Sequence, residues 1–110
     1  MENGKVARGT AGLVWDDKSL PLSAGCTILG RADEAGMRFD LPGVSRRHAR
    51  IDVGREGTTL EDLSSRNGTY PRGERISSRA SLAHGDEIRL GPVTLTFRLV
   101  SPESSTVSMA

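Results

Sequence analysis

Short runs in which apolar and polar residues alternate recur along most of the chain. The clearest run covers residues 93–100, where Val93, Leu95, Phe97 and Leu99 alternate with mostly polar neighbours. Because successive side chains of a β-strand point to opposite faces, this run predicts a strand with one face on a core. Residues 48–53 alternate in the same way. No segment has the 3.6-residue apolar period that indicates an amphipathic helix.

Glycine and proline separate these runs. The chain has 13 Gly and 5 Pro, and turn signals recur about every 8 to 12 residues, which is typical of an all-β sandwich or barrel. Tight turns are predicted at 17–18, 54–57 and 91–92. The predicted strands are 11–16, 20–23, 27–30, 37–40, 48–53, 58–62, 69–70, 75–76, 86–90 and 93–100.

The length and composition fit one small domain. Of the 110 residues, 24 are Leu, Ile, Val or Phe, about 22%, which lies just above the level at which chains usually stay disordered. The two ends are polar and rich in Gly or Ser. We therefore expect a folded domain at 11–100, a flexible N-terminal tail at 1–10 and a flexible C-terminal tail or linker stub at 101–110.

The charges almost cancel, with 15 basic and 14 acidic residues, which argues against a diffuse cationic surface for nucleic acid. Thirteen of the basic residues are Arg. A GC-rich, bacterial genome accounts for most of that bias, so each arginine is judged by its position. The N-terminus lacks the apolar stretch of a signal peptide and no run approaches 18 apolar residues, so we expect a cytoplasmic protein with no membrane partner.

The single cysteine, Cys26, excludes an intramolecular disulfide and a cysteine-based zinc site. It lies in a strand-like run, so we expect a small core residue. The sequence contains no metal-ligand cluster, no phosphate loop and no strand-to-helix nucleophile elbow. We therefore predict no catalytic residues, no metal, no cofactor and no enzymatic activity.

Three polar segments are dense in groups that bind anions. They are Gly30-Arg31, Ser45-Arg46-Arg47-His48-Ala49 and the block from Asp62 to Thr69. Each lies next to a predicted strand. Because loops at one end of a sandwich converge, these segments are expected to form one site on a rigid scaffold.

These segments, together with Gly85-Asp86-x-Ile88-x-Leu90-Gly91, resemble a forkhead-associated (FHA) domain over about residues 13–99. The resemblance implies an all-β, two-sheet β-sandwich of about eleven short, mostly antiparallel strands, with the ligand site in loops at one end. It also implies recognition of phosphothreonine-containing protein segments in a Ser/Thr protein kinase pathway, without catalysis. One departure is the stretch Tyr70-Pro71-Arg72-Gly73, where many family members have an Asn-containing turn. Pro71 lacks a backbone N–H for strand pairing and so favours a sheet edge or a bulge.

The resemblance also implies roles for single residues. Arg31 is expected to be the main phosphate ligand, Ser45 a hydroxyl donor to the same phosphate, and Arg46 a further charge. Asn67 is expected to hold the backbone of the bound peptide. Arg66 lines the pocket, either as a second guanidinium on the phosphate or turned to solvent. The residues expected to support the site structurally are Gly30, His48, Gly68 and Thr69.

Two other functions remain open from the sequence. A phosphate-independent interaction domain would use another face of the sandwich. A nucleic-acid binder would use the basic cluster at 46–50, but the four aromatic residues are scattered and form no evident stacking platform. No nucleic-acid partner is therefore expected.

Overall fold

The computed structural model describes residues 10–100, and the predicted tails lie outside this range except for Thr10, which begins the first strand. Ten strands form two five-stranded sheets. The strands are β1 (Thr10–Trp15), β2 (Lys18–Leu22), β3 (Gly25–Gly30), β4 (Met37–Arg38), β5 (Ala49–Gly54), β6 (Gly57–Asp62), β7 (Thr69–Pro71), β8 (Arg79–Leu82), β9 (Glu87–Leu90) and β10 (Val93–Val100).

One sheet has the order β2-β1-β10-β9-β7 and the other β4-β3-β5-β6-β8. All neighbouring strands are antiparallel except β3 and β4, which are parallel. The prediction of an all-β sandwich is confirmed. Within residues 10–100 there are ten strands rather than eleven.

The core lies between the two sheets and follows the predicted alternation. Val93, Leu95 and Phe97 of β10 are fully buried, whereas Leu99 near the strand's end is 45% exposed. They pack in one cluster with buried side chains of β5 and β6, among them Ile51 and Leu60. Two sheets that share such a core form a rigid support for the loops at their ends.

Two sequence predictions are wrong in detail. Residues 75–76 are not a strand; β8 lies at Arg79–Leu82 instead, because it pairs along β6 and buries Leu82. Ile76 donates its backbone N–H to the carbonyl of Thr69, at 3.0 Å, and its partly buried side chain packs against the core. Cys26 is exposed rather than part of the core.

The tight turns that join neighbouring strands agree closely with the pattern. Leu90 pairs with Val93 across the turn at 91–92, as predicted. The β1–β2 turn lies one residue earlier than predicted, at 16–17, because Asp16 and Asp17 both adopt positive φ, at 53° and 71°. Asp tolerates this conformation better than most residues, and the pair forms the twisted two-residue turn that hairpins prefer.

One end of the sandwich carries three loops between the sheets' strands. The first loop (31–36) follows β3, the second loop (39–48) precedes β5, and the third loop (63–68) joins β6 to β7. The paired residues Thr10 and Val100 lie at the opposite end. No helix that could cross a membrane occurs among residues 10–100.

Candidate functional site

The first and second loops run side by side. The backbone N–H of Arg31 donates to the carbonyl of Ser45 at 2.9 Å, and that of Ala32 donates to the carbonyl of Arg46 at 3.1 Å. These bonds join the start of the first loop to the second loop just beyond the paired ends of β3 and β5. The structure therefore brings Arg31, Ser45 and Arg46 together.

Gly30 makes this close approach possible. A Cβ at this position would lie 2.0 Å from the carbonyl oxygen of Arg46 and 3.0 Å from that of Ser45. Both contacts are with backbone, which cannot rotate away as a flexible side chain can. Any larger residue would therefore push the second loop away from Arg31.

The guanidinium of Arg31 is oriented by the second loop. Its Nε–H donates to the carbonyl of Val44 at 3.2 Å, and the side chain is otherwise exposed. Guanidinium has five N–H donors in a planar fork, so its two terminal amino groups remain for a ligand. None of the ion pairs within residues 10–100 involves Arg31.

Ser45 is oriented by the third loop. Its Oγ accepts a hydrogen bond from the backbone N–H of Arg66 at 2.9 Å. Because this bond occupies an acceptor position, the hydroxyl proton of Ser45 remains available to donate. The side chains of Arg46 and Arg66 are exposed, so the third loop meets Ser45 through the backbone of Arg66 rather than through its guanidinium.

His48 joins the second and third loops from inside the domain. The ring is fully buried, its Nδ1 accepts from the backbone N–H of Ser45 at 3.0 Å, and its Nε2 lies 2.8 Å from the carbonyl oxygen of Gly68. Since Nδ1 accepts, the ring proton must be on Nε2, and Nε2–H donates to Gly68. The structure thus places His48 under the site rather than on its surface.

A second network shapes the third loop. The carboxylate of Asp62 accepts from the hydroxyls of Ser65 and Thr69, and the Oγ of Ser65 accepts from the backbone N–H of Gly68 at 2.9 Å. Burial raises the pKa of Asp62, but the hydrogen bonds from Ser65 and Thr69 outweigh it and hold that pKa below its ordinary value. Thr69 is fully buried, so this network fixes the loop from below.

The side-chain amide of Asn67 bonds to the second loop. Its Nδ2 donates to the carbonyl of Gly43 at 2.8 Å, while the side chain is exposed. The carbonyl oxygen of this amide remains available as an acceptor. The bond also connects the third loop to the second a few residues from Ser45.

Sequence reasoning missed the role of the β9–β10 turn at this site. A Cβ on Gly91 would lie 2.4 Å from the carbonyl oxygen of Gly43, the same oxygen that Asn67 contacts. The turn at 91–92 was predicted as a connection between strands, yet its contact with the second loop is what requires glycine. No local sequence pattern signals a contact between residues so distant in the chain.

The ion pairs of the described residues leave the site's arginines without acidic partners. Arg38 pairs with Asp33 and Asp40, and Arg50 pairs with Asp52 at 3.1 Å. The basic cluster at 46–50 is therefore partly neutralised. In the part of the chain that the structure describes, no three His, Cys, Asp or Glu side chains lie close enough together to hold a metal ion. The arrangement provides donors for an anion.

Sequence comparison identifies relatives of this arrangement. The FHA-domain family model matches residues 27–91. The chain is 34% identical over 118 residues to the glycogen accumulation regulator GarA of Mycolicibacterium smegmatis, covering 90% of this chain and 73% of GarA. It is 32% identical over 99 residues to the transcriptional regulatory protein EmbR of Mycobacterium tuberculosis, covering 90% of this chain. A third relative is the mouse proliferation marker protein Ki-67, which is 37% identical over 75 residues, or 68% of this chain. The chain spans only 26% of the length of EmbR and 2% of the length of Ki-67.

Solved structures of similar shape include FHA domains with bound partners. EmbR of Mycobacterium tuberculosis in complex with a low-affinity phosphopeptide superposes with a TM-score of 0.80 at 32% identity, covering 84% of this chain and 25% of that one. The FhaA FHA domain, complexed with the intracellular domain of Rv3910, superposes with a TM-score of 0.75 at 36% identity, covering 80% and 99%. A third structure, from a study of phosphothreonine-dependent FHA domain interactions, has a TM-score of 0.76 at 36% identity and covers 81% and 95%.

Proposed function

This chain belongs to the FHA-domain family, and from that premise we propose that its three loops bind protein segments containing phosphothreonine. The phosphopeptide bound to EmbR and the phosphothreonine-dependent interactions of another similar domain support the proposal. Ser/Thr protein kinase signalling is the setting in which such a ligand arises.

The observation that carries the proposal is the pair of oriented donors at Arg31 and Ser45. Phosphothreonine carries between one and two negative charges near pH 7 and three strong acceptor oxygens. Hydrogen bonds from a guanidinium to phosphate are short and strong because both partners are ionised. Arg31 keeps both terminal amino groups and Ser45 keeps its hydroxyl proton, and backbone bonds hold the two loops together.

The remaining residues have supporting roles in this proposal. Arg46 adds positive charge beside the phosphate. Asn67 exchanges its bond to Gly43 for the backbone of the bound peptide, or keeps that bond and accepts from the peptide through its carbonyl oxygen. Arg66 contributes its backbone N–H to Ser45 and leaves its guanidinium in solvent, within reach of the ligand.

We propose that the chain has no catalytic activity, because its family is one of phosphopeptide-binding modules. We further propose a cytoplasmic setting, where kinases and their protein substrates meet. The domain at 11–100 would act alone or as one part of a larger regulator, with 1–10 and 101–110 as its connections. Binding of nucleic acid is disfavoured because Arg50 of the basic cluster forms ion pairs with Asp52 and Glu61.

Two substitutions of Arg31 test the proposal by isothermal titration calorimetry, with a phosphothreonine peptide and its unmodified copy. Two or three charge-assisted hydrogen bonds, each with a net contribution of about 1.5 to 3 kcal/mol, predict a preference for the phosphorylated peptide of at least about a hundredfold. Arg31→Ala removes most of it. Arg31→Lys keeps the positive charge but replaces the planar guanidinium with a single ammonium group. We therefore expect its affinity for the phosphopeptide to be at least about tenfold lower than that of the parent.

The matched control is Arg55→Ala, an exposed arginine in the turn between Gly54 and Gly57 at the opposite end of the sandwich. It should bind the phosphopeptide as the parent does. Equal affinity of the parent for both peptides would refute the proposal. Retention of partner binding by Arg31→Ala would instead support a phosphate-independent interaction domain.

A further inference from the structure

Next to Asn67, two arginines and a tyrosine form a patch outside the site described above. Gly68 has positive φ, at 90°, and the position of its missing Cβ lies 2.7 Å from Nε of Arg75 and 3.1 Å from Cε1 of Tyr70. Arg89 faces Tyr70 across β7 and β9, and its guanidinium carbon lies 4.3 Å from the centre of the tyrosine ring. We call Tyr70, Arg75 and Arg89 the cationic patch.

The two guanidinium groups of the cationic patch have no acidic partner. Within residues 10–100 no ion pair involves Arg75 or Arg89, whereas Arg72 in the same region is bound to Asp86. Glu87 shares the outer face of β9 with Arg89, and Glu74 precedes Arg75, but neither comes within 4.0 Å of these cations. Both exposed guanidinium groups therefore remain available to attract an anion.

The cationic patch is also partly organised before any ligand arrives. Stacking on the tyrosine ring limits the positions of Arg89, and the Nε of Arg75 lies against the side of Gly68 where a Cβ would stand. A guanidinium that is already held loses less conformational entropy on binding than a free one. The third loop connects the patch to the site, since Gly68 follows Asn67 directly and its carbonyl is held by His48.

We infer that the cationic patch is a subsite for an acidic side chain, Asp or Glu, of the phosphothreonine peptide. The inference depends on the proposed function, because the peptide reaches the patch by passing over Asn67. A carboxylate matches the fork geometry of guanidinium, and both cations are exposed to an approaching peptide. The chain would therefore select its partners by an acidic residue at a fixed distance from the phosphothreonine.

Calorimetry with a set of phosphothreonine peptides tests the subsite. The reference peptide has Ala at all flanking positions, and each of the others has one Asp, placed up to about four residues before or after the phosphothreonine, a reach of about 13 Å at ~3.3 Å per extended residue. We expect one position, or two neighbouring ones, to bind about three- to tenfold tighter than the reference. Raising the salt from about 50 to about 300 mM should reduce this gain, because salt screens exposed charges.

Variants connect the gain to the patch. Arg75→Gln and Arg89→Gln should each lose most of it while binding the all-Ala peptide within about twofold of the parent. Arg89→Lys should keep part of the gain, and Arg55→Gln, at the opposite end of the sandwich, should keep all of it. Melting temperatures near that of the parent would show that the variants are folded.

The result separates this inference from the proposed function. If the all-Ala phosphopeptide binds no better than its unmodified copy, both are wrong. If it binds in a phosphate-dependent way but no Asp position improves the affinity, only the subsite is wrong. A gain that survives both Gln substitutions would likewise overturn the assignment to Arg75 and Arg89.

Discussion

The hydrogen bonds of His48 predict a large stability cost for a substitution that fills its volume without replacing them. His48→Leu places an apolar side chain of similar size in a position that is fully buried. It leaves the backbone N–H of Ser45 and the carbonyl of Gly68 without their partner. His48→Asn can retain the bond to Ser45, because its Oδ1 lies near the place of Nδ1, but it cannot reach Gly68.

The expected magnitude follows from counting these two groups. Leaving a buried donor or acceptor without a partner costs about 1 to 3 kcal/mol, so the two groups together should lower the free energy of unfolding of His48→Leu by about 2 to 6 kcal/mol. His48→Asn should lose about half as much. Since 1 kcal/mol shifts the melting temperature of a domain of this size by about 4 to 8 °C, the leucine variant should melt at least about 10 °C lower.

Thermal and urea unfolding, followed by circular dichroism, measure these differences. The control is His84→Leu: this exposed histidine accepts one bond, from the N–H of Leu99 at 2.9 Å, and water can replace it. The control should cost less than about 1 kcal/mol. If His48→Leu unfolded within about 0.5 kcal/mol of the parent, the two bonds would not be what holds the second and third loops together.

Two further predictions concern the same loops. Gly30→Ala should weaken phosphopeptide binding by at least about tenfold, because the added methyl would overlap the carbonyl of Arg46; calorimetry with unchanged affinity would contradict the geometry. Asp62→Asn should destabilise the domain at neutral pH by less than about 1 kcal/mol, since solvent screens part of the charge. Because hydrogen bonds from Ser65 and Thr69 lower the pKa of Asp62 in the folded state, the difference between the two proteins should be complete above about pH 5 and should shrink below about pH 4. Urea unfolding across this range measures it, and a difference that grows on acidification would contradict the assignment.

The strands that the sequence predicts best are those in which every second residue is buried. β10 is an example, since Val93, Leu95 and Phe97 all face the core. A two-residue apolar period in the sequence indicates a strand that is buried on one face. β8 has only Ala80 and Leu82 as apolar residues, and its strand conformation comes from pairing with β6. Such pairing is a long-range effect that a local pattern does not carry.

Some roles of the candidate site residues can likewise be predicted from the sequence, whereas others depend on contacts that only the fold creates. Arg31 and Ser45 could be proposed because the motifs around them resemble an FHA domain and because guanidinium and hydroxyl groups suit a phosphate. The role of Arg66 could not be decided, because its contact with Ser45 is made by a backbone N–H that every residue but proline possesses. The identity of the side chain at position 66 therefore does not indicate this contact.

Arg31 and Ser45 have more hydrogen-bonding groups than their bonds within the protein use. Those internal bonds therefore do not compete with the proposed binding of phosphate. Arg31 gives one of five N–H groups to Val44, and Ser45 accepts from Arg66 without using its own proton. Each side chain is therefore fixed in direction by a group that the ligand does not need. The entropy cost of ordering these side chains is met during folding, so more of the phosphate's interaction energy remains for affinity. In the proposed function, selectivity for phosphate would therefore depend on the backbone positions of the second and third loops as much as on the charge of Arg31.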